Sequence, residues 1–282
     1  MNDLFVKNIR FIKAVIIAAL IFSMILMSAC GKSDSVIIVA GSTSVQPYAE
    51  ILAEEYALLY PGNDVEIQGG GSSAGITAAE SGTAEIGMSS RALKESEQEL
   101  WSVEIAKDGL ALIIHPSNPI QDLTLEQIRG IYTAEISNWS ELGGANAKIH
   151  IIAREDGSGT RSAFEDLVMA KTLITPRAIV QDSNGTVRQL VANDVNAIGF
   201  ISLGLVDSTV KALKLEGVAA TCENVMNGSY TLYRPFLFVT DGLPTGLTEQ
   251  FINFVLSLEG QRLLANEGLI PQIEIEPERV ER

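Results

Sequence analysis

The chain has 282 residues, of which 46% are hydrophobic and 20% are charged. This length and composition predict one large domain or two smaller lobes around an extensive hydrophobic core, and they exclude intrinsic disorder. The 35 acidic and 20 basic residues give a formal charge of −15. Such a surplus of negative charge disfavours binding to nucleic acid or anionic lipid through the overall electrostatic field. We therefore expect no nucleic-acid partner, and attachment to a membrane would need a hydrophobic or covalent anchor.

The N-terminal segment predicts export. Three basic residues precede an apolar run at positions 14–29, which is shorter than the roughly 20 residues of a membrane-spanning helix and is typical of a signal peptide. The run ends in Leu26-Met27-Ser28-Ala29-Cys30, which resembles the lipobox of bacterial lipoproteins. We expect residues 1–29 to be removed and Cys30 to carry the lipid that holds the protein at the extracytoplasmic face of the cell membrane. The alternative is an uncleaved N-terminal anchor in which Cys30 is incidental.

Residues 30–35 are predicted to form a short lipidated tether, because glycine, serine and charged residues dominate there. Cys222 is the other cysteine of the sequence. With Cys30 modified, no intrachain disulfide is expected, and Cys222 is interpreted as a small buried hydrophobic residue.

After the tether, the sequence alternates between strand and helix patterns. The β-branched run at 36–40 is typical of a strand covered on both sides of its sheet, and a helix is predicted at 45–60 before Pro61-Gly62. A strand at 64–68, a Gly/Ser loop at 69–73 and a helix at 74–81 repeat the order. Further strands or extended segments are predicted at 84–88, 110–115, 149–153 and 230–240, and further helices at 125–132, 160–169, 247–258 and 259–266. Segments 179–181, 186–193, 197–202 and 210–215 continue the alternation, which predicts an α/β fold.

Four loops combine glycine, hydroxyl side chains and a following helix, and they lie at 41–44, 69–73, 89–91 and 154–160. The first N–H groups of a helix have no partner within the helix, and the helix dipole favours negative charge beside them. Each loop alone also fits an ordinary helix cap. The fourth loop adds Arg154, whose fixed fork of donors suits an oxyanion. We expect Asp156 to orient that guanidinium and Glu155 to face solvent.

These loops carry a resemblance to the phosphate-binding proteins of bacterial phosphate ABC transporters, the PstS family. The resemblance extends from about residue 36 to residue 271. The segments that carry it are Gly41-Ser42-Thr43-Ser44-Val45, Gly71-Ser72-Ser73-Ala74-Gly75, Gly87-Met88-Ser89-Ser90-Arg91, Ile131-Tyr132-Thr133 to Asn138-Trp139-Ser140-Glu141-Leu142-Gly143-Gly144, Arg154-Glu155-Asp156-Gly157-Ser158-Gly159-Thr160 and Asn196-Ala197-Ile198-Gly199-Phe200.

The resemblance implies a two-lobed, periplasmic-binding-protein-like α/β fold, in which each lobe is a mixed sheet flanked by helices and two strands form the hinge. It implies that lobe one comprises residues 35–114 plus 234–282 and that lobe two comprises 115–233. Inorganic phosphate would lie in the cleft between them. The implied partners are the membrane permease and ATPase subunits of an importer, with no catalysis by the chain itself.

The ligand contacts that the resemblance implies are Thr43, Ser44, Ser72, Ser90, Arg154, Ser158, Gly159 and Thr160, with Asp156 in support. Some relatives carry Asp at the position of Ser90, where a carboxylate accepts the proton of phosphate and rejects sulfate. Ser90 leaves the basis of that discrimination open. Arg91 is either a second, outer charge of the site or a surface residue paired across its lobe.

Two alternatives remain. The same fold could bind another oxyanion, namely sulfate, molybdate or tungstate. A serine-dependent hydrolase is the other, because Gly157-Ser158-Gly159 resembles part of a nucleophile elbow, with His115 or His150 as base; both histidines are interpreted as structural. Two histidines and two cysteines without ligand spacing predict no metal site, and no cofactor is expected.

Overall fold

A computed structural model describes residues 35–170 and 172–274. The predicted signal peptide, the predicted lipidation site Cys30 and residues 30–34 of the predicted tether lie outside the described residues. By its internal contacts the chain divides into residues 1–35 and 36–282, and the second unit contains the strands, helices and side chains described below.

Strands and helices alternate along the described residues, as the sequence predicts. Their bounds are β1 Ser35–Gly41, α1 Gln46–Leu59, β2 Asn63–Gly69, α2 Ser72–Glu80, β3 Ile86–Ser89, β4 Trp101–Ile114, β5 Asp122–Leu123, α3 Leu125–Thr133, β6 His150–Arg154, α4 Gly159–Phe164, β7 Ile179–Gln181, α5 Asn184–Asn193, β8 Ala197–Ser202, β9 Lys211–Ala212, β10 Lys214–Leu215, α6 Cys222–Met226, β11 Tyr233–Thr240, α7 Gly246–Leu256, α8 Leu258–Asn266 and β12 Ile270–Pro271. A π-helical turn, Glu165–Met169, continues α4. None of the helices in this part of the chain is both long and apolar enough to cross a bilayer.

Strand β4 joins two groups of strands. Across the described sheet the order is β2-β1-β3-β11-β4-β8-β6-β7. From Trp101 to Gly109, β4 pairs antiparallel with β11, whereas from Leu110 to Ile114 it pairs antiparallel with β8. The change of partner falls inside one continuous strand, N-terminal to the lobe limit at 114/115 that the resemblance implies. The lobe limits therefore stay a prediction.

Each group of strands has its own hydrophobic core. One core packs β1, β3 and β11 against α1 and α7 through Val39, Tyr48, Phe238 and Phe251. The other surrounds Phe200 on β8, where the rings of Phe164 and Phe200 stack with centroids 4.2 Å apart. Each fully buried large apolar side chain contributes about 1.5–3 kcal/mol to folding. Smaller clusters lie around Ile201 and around Val239. The polar residues between the two groups of strands form the site described next.

Two of the element boundaries that differ from the prediction concern the site and the strand behind it. Strand β4 begins at Trp101, whereas the sequence predicts a start at 110. The prediction misses the first half because polar residues there interrupt the apolar run, and pairing with β11 is what makes that half a strand. Helix α2 begins at Ser72, two residues earlier than predicted, so that Ser72 lies in the first helical turn. The second difference brings Ser72 close to the other site hydroxyls.

Candidate functional site

The three loops after β1, after β2 and after β3 form a cluster of buried hydroxyls. Strands β1 and β3 are parallel neighbours, so their carboxyl ends lie at the same sheet edge. There Ser42 Oγ donates to Ser90 Oγ at 2.8 Å, and Ser90 N donates to Ser72 Oγ at 3.0 Å. The Ser72 and Ser90 hydroxyl oxygens are 3.2 Å apart. All three side chains are buried.

The loop after β6 contacts this cluster from the other group of strands. Ser73 N donates to Gly157 O at 3.1 Å, and Ser44 Oγ lies 2.8 Å from Thr160 Oγ1. Gly159 packs directly against the Ser72 and Ser90 hydroxyls, and a Cβ atom at Gly159 would overlap both. Glycine at this position thus allows the two halves of the cleft to meet.

Arg154 ends β6 and is 1% exposed. Glu155 binds one edge of its guanidinium, with Nε–Oε2 at 2.9 Å and Nη2–Oε1 at 2.8 Å. Nη2 also donates to Thr43 Oγ1 at 3.2 Å. Nη1 is buried and has no hydrogen-bond partner among the described residues. A buried guanidinium nitrogen without a partner is costly, so this atom points to an anionic ligand.

The expectation for Asp156 is wrong. Asp156 is 92% exposed and pairs with Arg161 at 2.7 Å, while Glu155 holds Arg154. The cause is the turn at positions 156–157, which directs Asp156 outward towards Arg161 in α4 and leaves Glu155 beside the guanidinium. The supporting carboxylate is therefore Glu155.

The described structure places the remaining predicted residues around one point. Thr43, Ser44, Ser72, Ser90, Arg154, Gly159 and Thr160 are linked by the contacts above. Ser158 lies beside them as the N-cap of α4, where its Oγ accepts from Arg161 N at 3.2 Å and leaves its own proton available. Their roles as ligand contacts stay a prediction.

Sequence reasoning missed four residues that hold the site hydroxyls. Ser42 belongs to the first glycine-hydroxyl loop and could have been included on that signal. Asn184 follows the helix cap Ser183, but it donates to Ser44 in a distant loop. Arg234 and Asp108 bind each other 126 positions apart in the chain, and no local pattern indicates this.

Arg91 is a paired residue, as one of the two alternatives predicts, but it is 4% exposed rather than on the surface, and its partner Glu97 is a near neighbour in the chain. Its Nη1 and Nη2 donate to Glu97 Oε2 and Oε1 at 2.7 and 2.8 Å. The hydrogen bond from Arg91 holds the pKa of the Glu97 carboxyl below its usual value. Arg91 therefore lies next to Ser90 with its charge neutralised within the same loop region.

The hydrogen bonds of the two histidines do not favour serine chemistry. His115 Nδ1 accepts from Ser117 N at 3.0 Å, and His150 Nδ1 lies 2.6 Å from Asp194 Oδ2. A nucleophile needs its base within hydrogen-bond reach, and the contact made by Ser158 Oγ is with Arg161 N.

Comparison with known proteins identifies the family. The PBP superfamily domain matches residues 28–259. Over 246 residues the chain is 30% identical to the phosphate-binding protein PstS of Bacillus subtilis, and the matched region covers 85% of this chain and 82% of that relative. The chain belongs to the PstS family. The PstS protein of Pseudomonas aeruginosa is 32% identical over 263 residues, covering 82% of this chain and 81% of its own length.

Solved structures agree with this PstS-family assignment. One is a chain from Clostridium perfringens assigned as a phosphate ABC transporter substrate-binding protein and crystallised with bound phosphate. Its TM-score is 0.82 and its identity 47%, and the match covers 85% of this chain and all of that one. An ABC-type phosphate transport receptor from Vibrio cholerae has a TM-score of 0.71 and 40% identity, with coverages of 83% and 99%. The predicted two-lobed, periplasmic-binding-protein-like fold is thereby confirmed.

Proposed function

We propose that this protein binds inorganic phosphate between lobe one, residues 35–114 plus 234–282, and lobe two, residues 115–233, and delivers it to the permease and ATPase subunits of an ABC importer. The observation that carries the proposal is the guanidinium of Arg154, whose buried Nη1 has no hydrogen-bond partner among the described residues and whose Nη2 donates to Thr43 Oγ1 in the first loop. The phosphate-binding relatives of the PstS family support it.

The proposed cage is built mainly from uncharged donors. Arg154 supplies the positive charge, the hydroxyls of Thr43, Ser72, Ser90 and Ser158 donate to the phosphate oxygens, and backbone N–H groups of Gly159 and Thr160 complete it. The N–H of Ser44, predicted as a contact, already donates to Ser42 Oγ at 3.2 Å. Uncharged donors at helix starts bind anions well because their dipoles already point at the ligand. This explains how a chain of formal charge −15 would hold a phosphate dianion.

Isothermal titration of the purified protein with phosphate, sulfate and molybdate tests the proposal, with chloride as the control for general ionic effects. We expect saturable one-to-one binding of phosphate. Tighter binding of molybdate or sulfate than of phosphate would mean that the tighter-binding anion, and not phosphate, is the ligand. Binding of none of the three oxyanions would overturn the site itself.

We further propose that Cys30 carries the lipid anchor at the extracytoplasmic face of the membrane. The support is the lipobox-like sequence at its position and the acidic composition, which offers no electrostatic attachment to lipid. Each buried methylene of an acyl chain contributes about 0.8 kcal/mol, so two or more chains hold a protein stably.

Fractionation of cells that express Cys30→Ser tests the anchor. We expect this variant in the soluble fraction and the parent in the membrane fraction. Cys222→Ser is the matched control, because it removes the other cysteine of the chain, and it should stay with the membrane. Recovery of Cys30→Ser wholly in the membrane fraction would contradict lipidation at this residue.

A further inference from the structure

A buried ion pair lies where β4 and β11 pair, directly behind the proposed phosphate site. Asp108 and Arg234 face each other in register, and Arg234 Nε and Nη2 donate to Asp108 Oδ2 at 3.1 and 3.0 Å. Both side chains are almost completely buried. Burial raises the pKa of the Asp108 carboxyl, and the charge of Arg234 opposes that change. Asp108 Oδ1 accepts a further bond from Ser202 Oγ at 2.8 Å.

Arg234 and Asn184 both point their donors at one oxygen atom, the hydroxyl of Ser44. Arg234 Nη2 lies 3.1 Å from Ser44 Oγ, and Asn184 Nδ2 lies 2.7 Å from it. The orientation of the Asn184 amide is fixed independently, because Ser202 N donates to its Oδ1 at 3.3 Å. Neither the guanidinium nor the amide nitrogen can accept a hydrogen bond.

The donors on Ser44 Oγ determine the direction of the hydrogen bond between Ser44 and Thr160. A hydroxyl oxygen has two lone pairs and one proton. Since Arg234 and Asn184 occupy both lone pairs of Ser44, the Ser44 proton is directed to its remaining partner, Thr160 Oγ1, at 2.8 Å. Thr160 is buried, and Ser44 is the hydrogen-bond partner that the described residues give to its hydroxyl. Thr160 accepts from Ser44 and keeps its own proton for a different acceptor.

We propose that Arg234 and Asn184 are positioning residues that fix Thr160 as a hydrogen-bond donor to the bound anion, so that this corner of the site favours an oxygen that carries no proton. The inference rests on the phosphate site proposed above and adds its selectivity. A phosphate oxygen that retains a proton needs an acceptor, and a fixed donor in that place would leave two protons facing each other. The protonated oxygen of phosphate must therefore face another part of the site, whereas any oxygen of sulfate fits this corner.

The experiment compares phosphate and sulfate affinities by titration in the parent and in Thr160→Val. Valine removes the hydroxyl and keeps the shape, so the loss of a donor to a charged oxygen should weaken sulfate and phosphate by similar factors, about tenfold. A loss confined to phosphate would mean that Thr160 accepts the phosphate proton, which would overturn the inference. Thr77→Val, at an exposed position of α2, is the control and should leave both affinities unchanged.

A second variant tests the role of Arg234. Removing both members of the ion pair, in Asp108→Asn combined with Arg234→Met, avoids leaving one uncompensated buried charge. It also frees one lone pair of Ser44, which lets Thr160 donate to Ser44 and accept from phosphate. We expect the phosphate-to-sulfate affinity ratio to rise about threefold or more, a change that a purely structural role would not produce.

The outcomes separate the inference from the proposed function. Phosphate binding by the parent with an unchanged ratio in the folded double variant overturns the inference alone. Sulfate binding too weak to detect in the parent also overturns it, because a donor-only corner admits an anion without protons. If the double variant does not fold, Thr160→Val decides. Absence of binding of either anion to the parent overturns the proposed function.

Discussion

Two of the four loops that form the site begin or end with a buried arginine bound to a glutamate. Arg91, after β3, is 4% exposed and pairs with Glu97, whereas Arg154, at the end of β6, is 1% exposed and pairs with Glu155. Glu97 binds Arg91 through both terminal nitrogens. Glu155 binds Arg154 through Nε and Nη2, which leaves Nη1 without a partner among the described residues.

The difference shows that burial and charge do not by themselves make an arginine part of an anion site. A guanidinium binds an oxyanion end-on through its two terminal nitrogens or side-on through Nε and one of them. End-on pairing with Glu97 uses both terminal nitrogens of Arg91 and leaves its buried Nε, a single N–H, without a partner among the described residues. Side-on pairing with Glu155 leaves a whole terminal nitrogen of Arg154 available. The partner geometry thus occupies both terminal nitrogens of Arg91 and supports the ligand role proposed for Arg154.

Arg154→Ala should produce the largest effect. Removing the terminal guanidinium nitrogen that Arg154 offers to the anion should weaken phosphate binding by about 2–5 kcal/mol, the range for truncating one partner of a buried charge pair. Arg154→Lys should restore part of the loss, because a point charge does not reproduce the planar fork. Isothermal titration measures both.

Arg91→Ala is the matched variant in the other loop, and Arg262→Ala, at an exposed position of α8, controls for the loss of positive charge. Phosphate affinity in these two should stay within about threefold of the parent. An Arg91→Ala loss as large as that of Arg154→Ala would abolish the distinction between the two loops.

Gly159→Ala should have the next largest effect, because its methyl group would overlap the Ser72 and Ser90 hydroxyls. Overpacking of this kind costs about 1–3 kcal/mol, which should appear as roughly tenfold or greater loss of phosphate affinity when the cleft fails to close. Gly157→Ala is the control, since the nearest neighbour of a Cβ atom there is 4.0 Å away. Equal affinities for the two variants would show that close approach at Gly159 is not needed for binding.

Glu155→Gln should strengthen phosphate binding, because it removes the negative charge that neutralises Arg154 and repels the ligand. Glu155 is 32% exposed, so solvent screens the effect, and we expect about a threefold gain. Asp156→Asn removes a carboxylate that is 92% exposed and paired with Arg161, and its affinity should match the parent. A larger effect at Asp156 than at Glu155 would favour the role first predicted for Asp156.

The smallest effect concerns stability in acid. The pKa of Glu97 is lowered by its hydrogen bond from Arg91, so the pair stabilises the fold above the ordinary pKa of a glutamate and loses that contribution as the pH falls through the lowered value. Between pH 7 and acidic pH, the melting temperature of Glu97→Gln should fall by less than that of the parent. Glu95→Gln, at an exposed neighbouring position, should behave as the parent does.

The sequence predicts the fold well wherever local signals are strong. Apolar runs and glycine-hydroxyl loops locate β1, α1, β8 and the start of α4 to within a few residues, because such patterns depend on neighbouring residues alone. The first half of β4 is missed, since Glu104, Lys107 and Asp108 interrupt its apolar pattern and only pairing with β11 makes it a strand.

By itself, the sequence determined the α/β class, the four anion-type loops and the resemblance to the PstS family, because glycine, hydroxyl and helix-start patterns are read over a few adjacent positions. Tertiary structure alone decided which acid holds Arg154, that Arg91 is already paired, and that Asn184 and Arg234 converge on Ser44. These outcomes depend on the directions in which side chains point after distant strands pair. The direction of a turn and the register between β4 and β11 set those directions, and neither is encoded in any short segment.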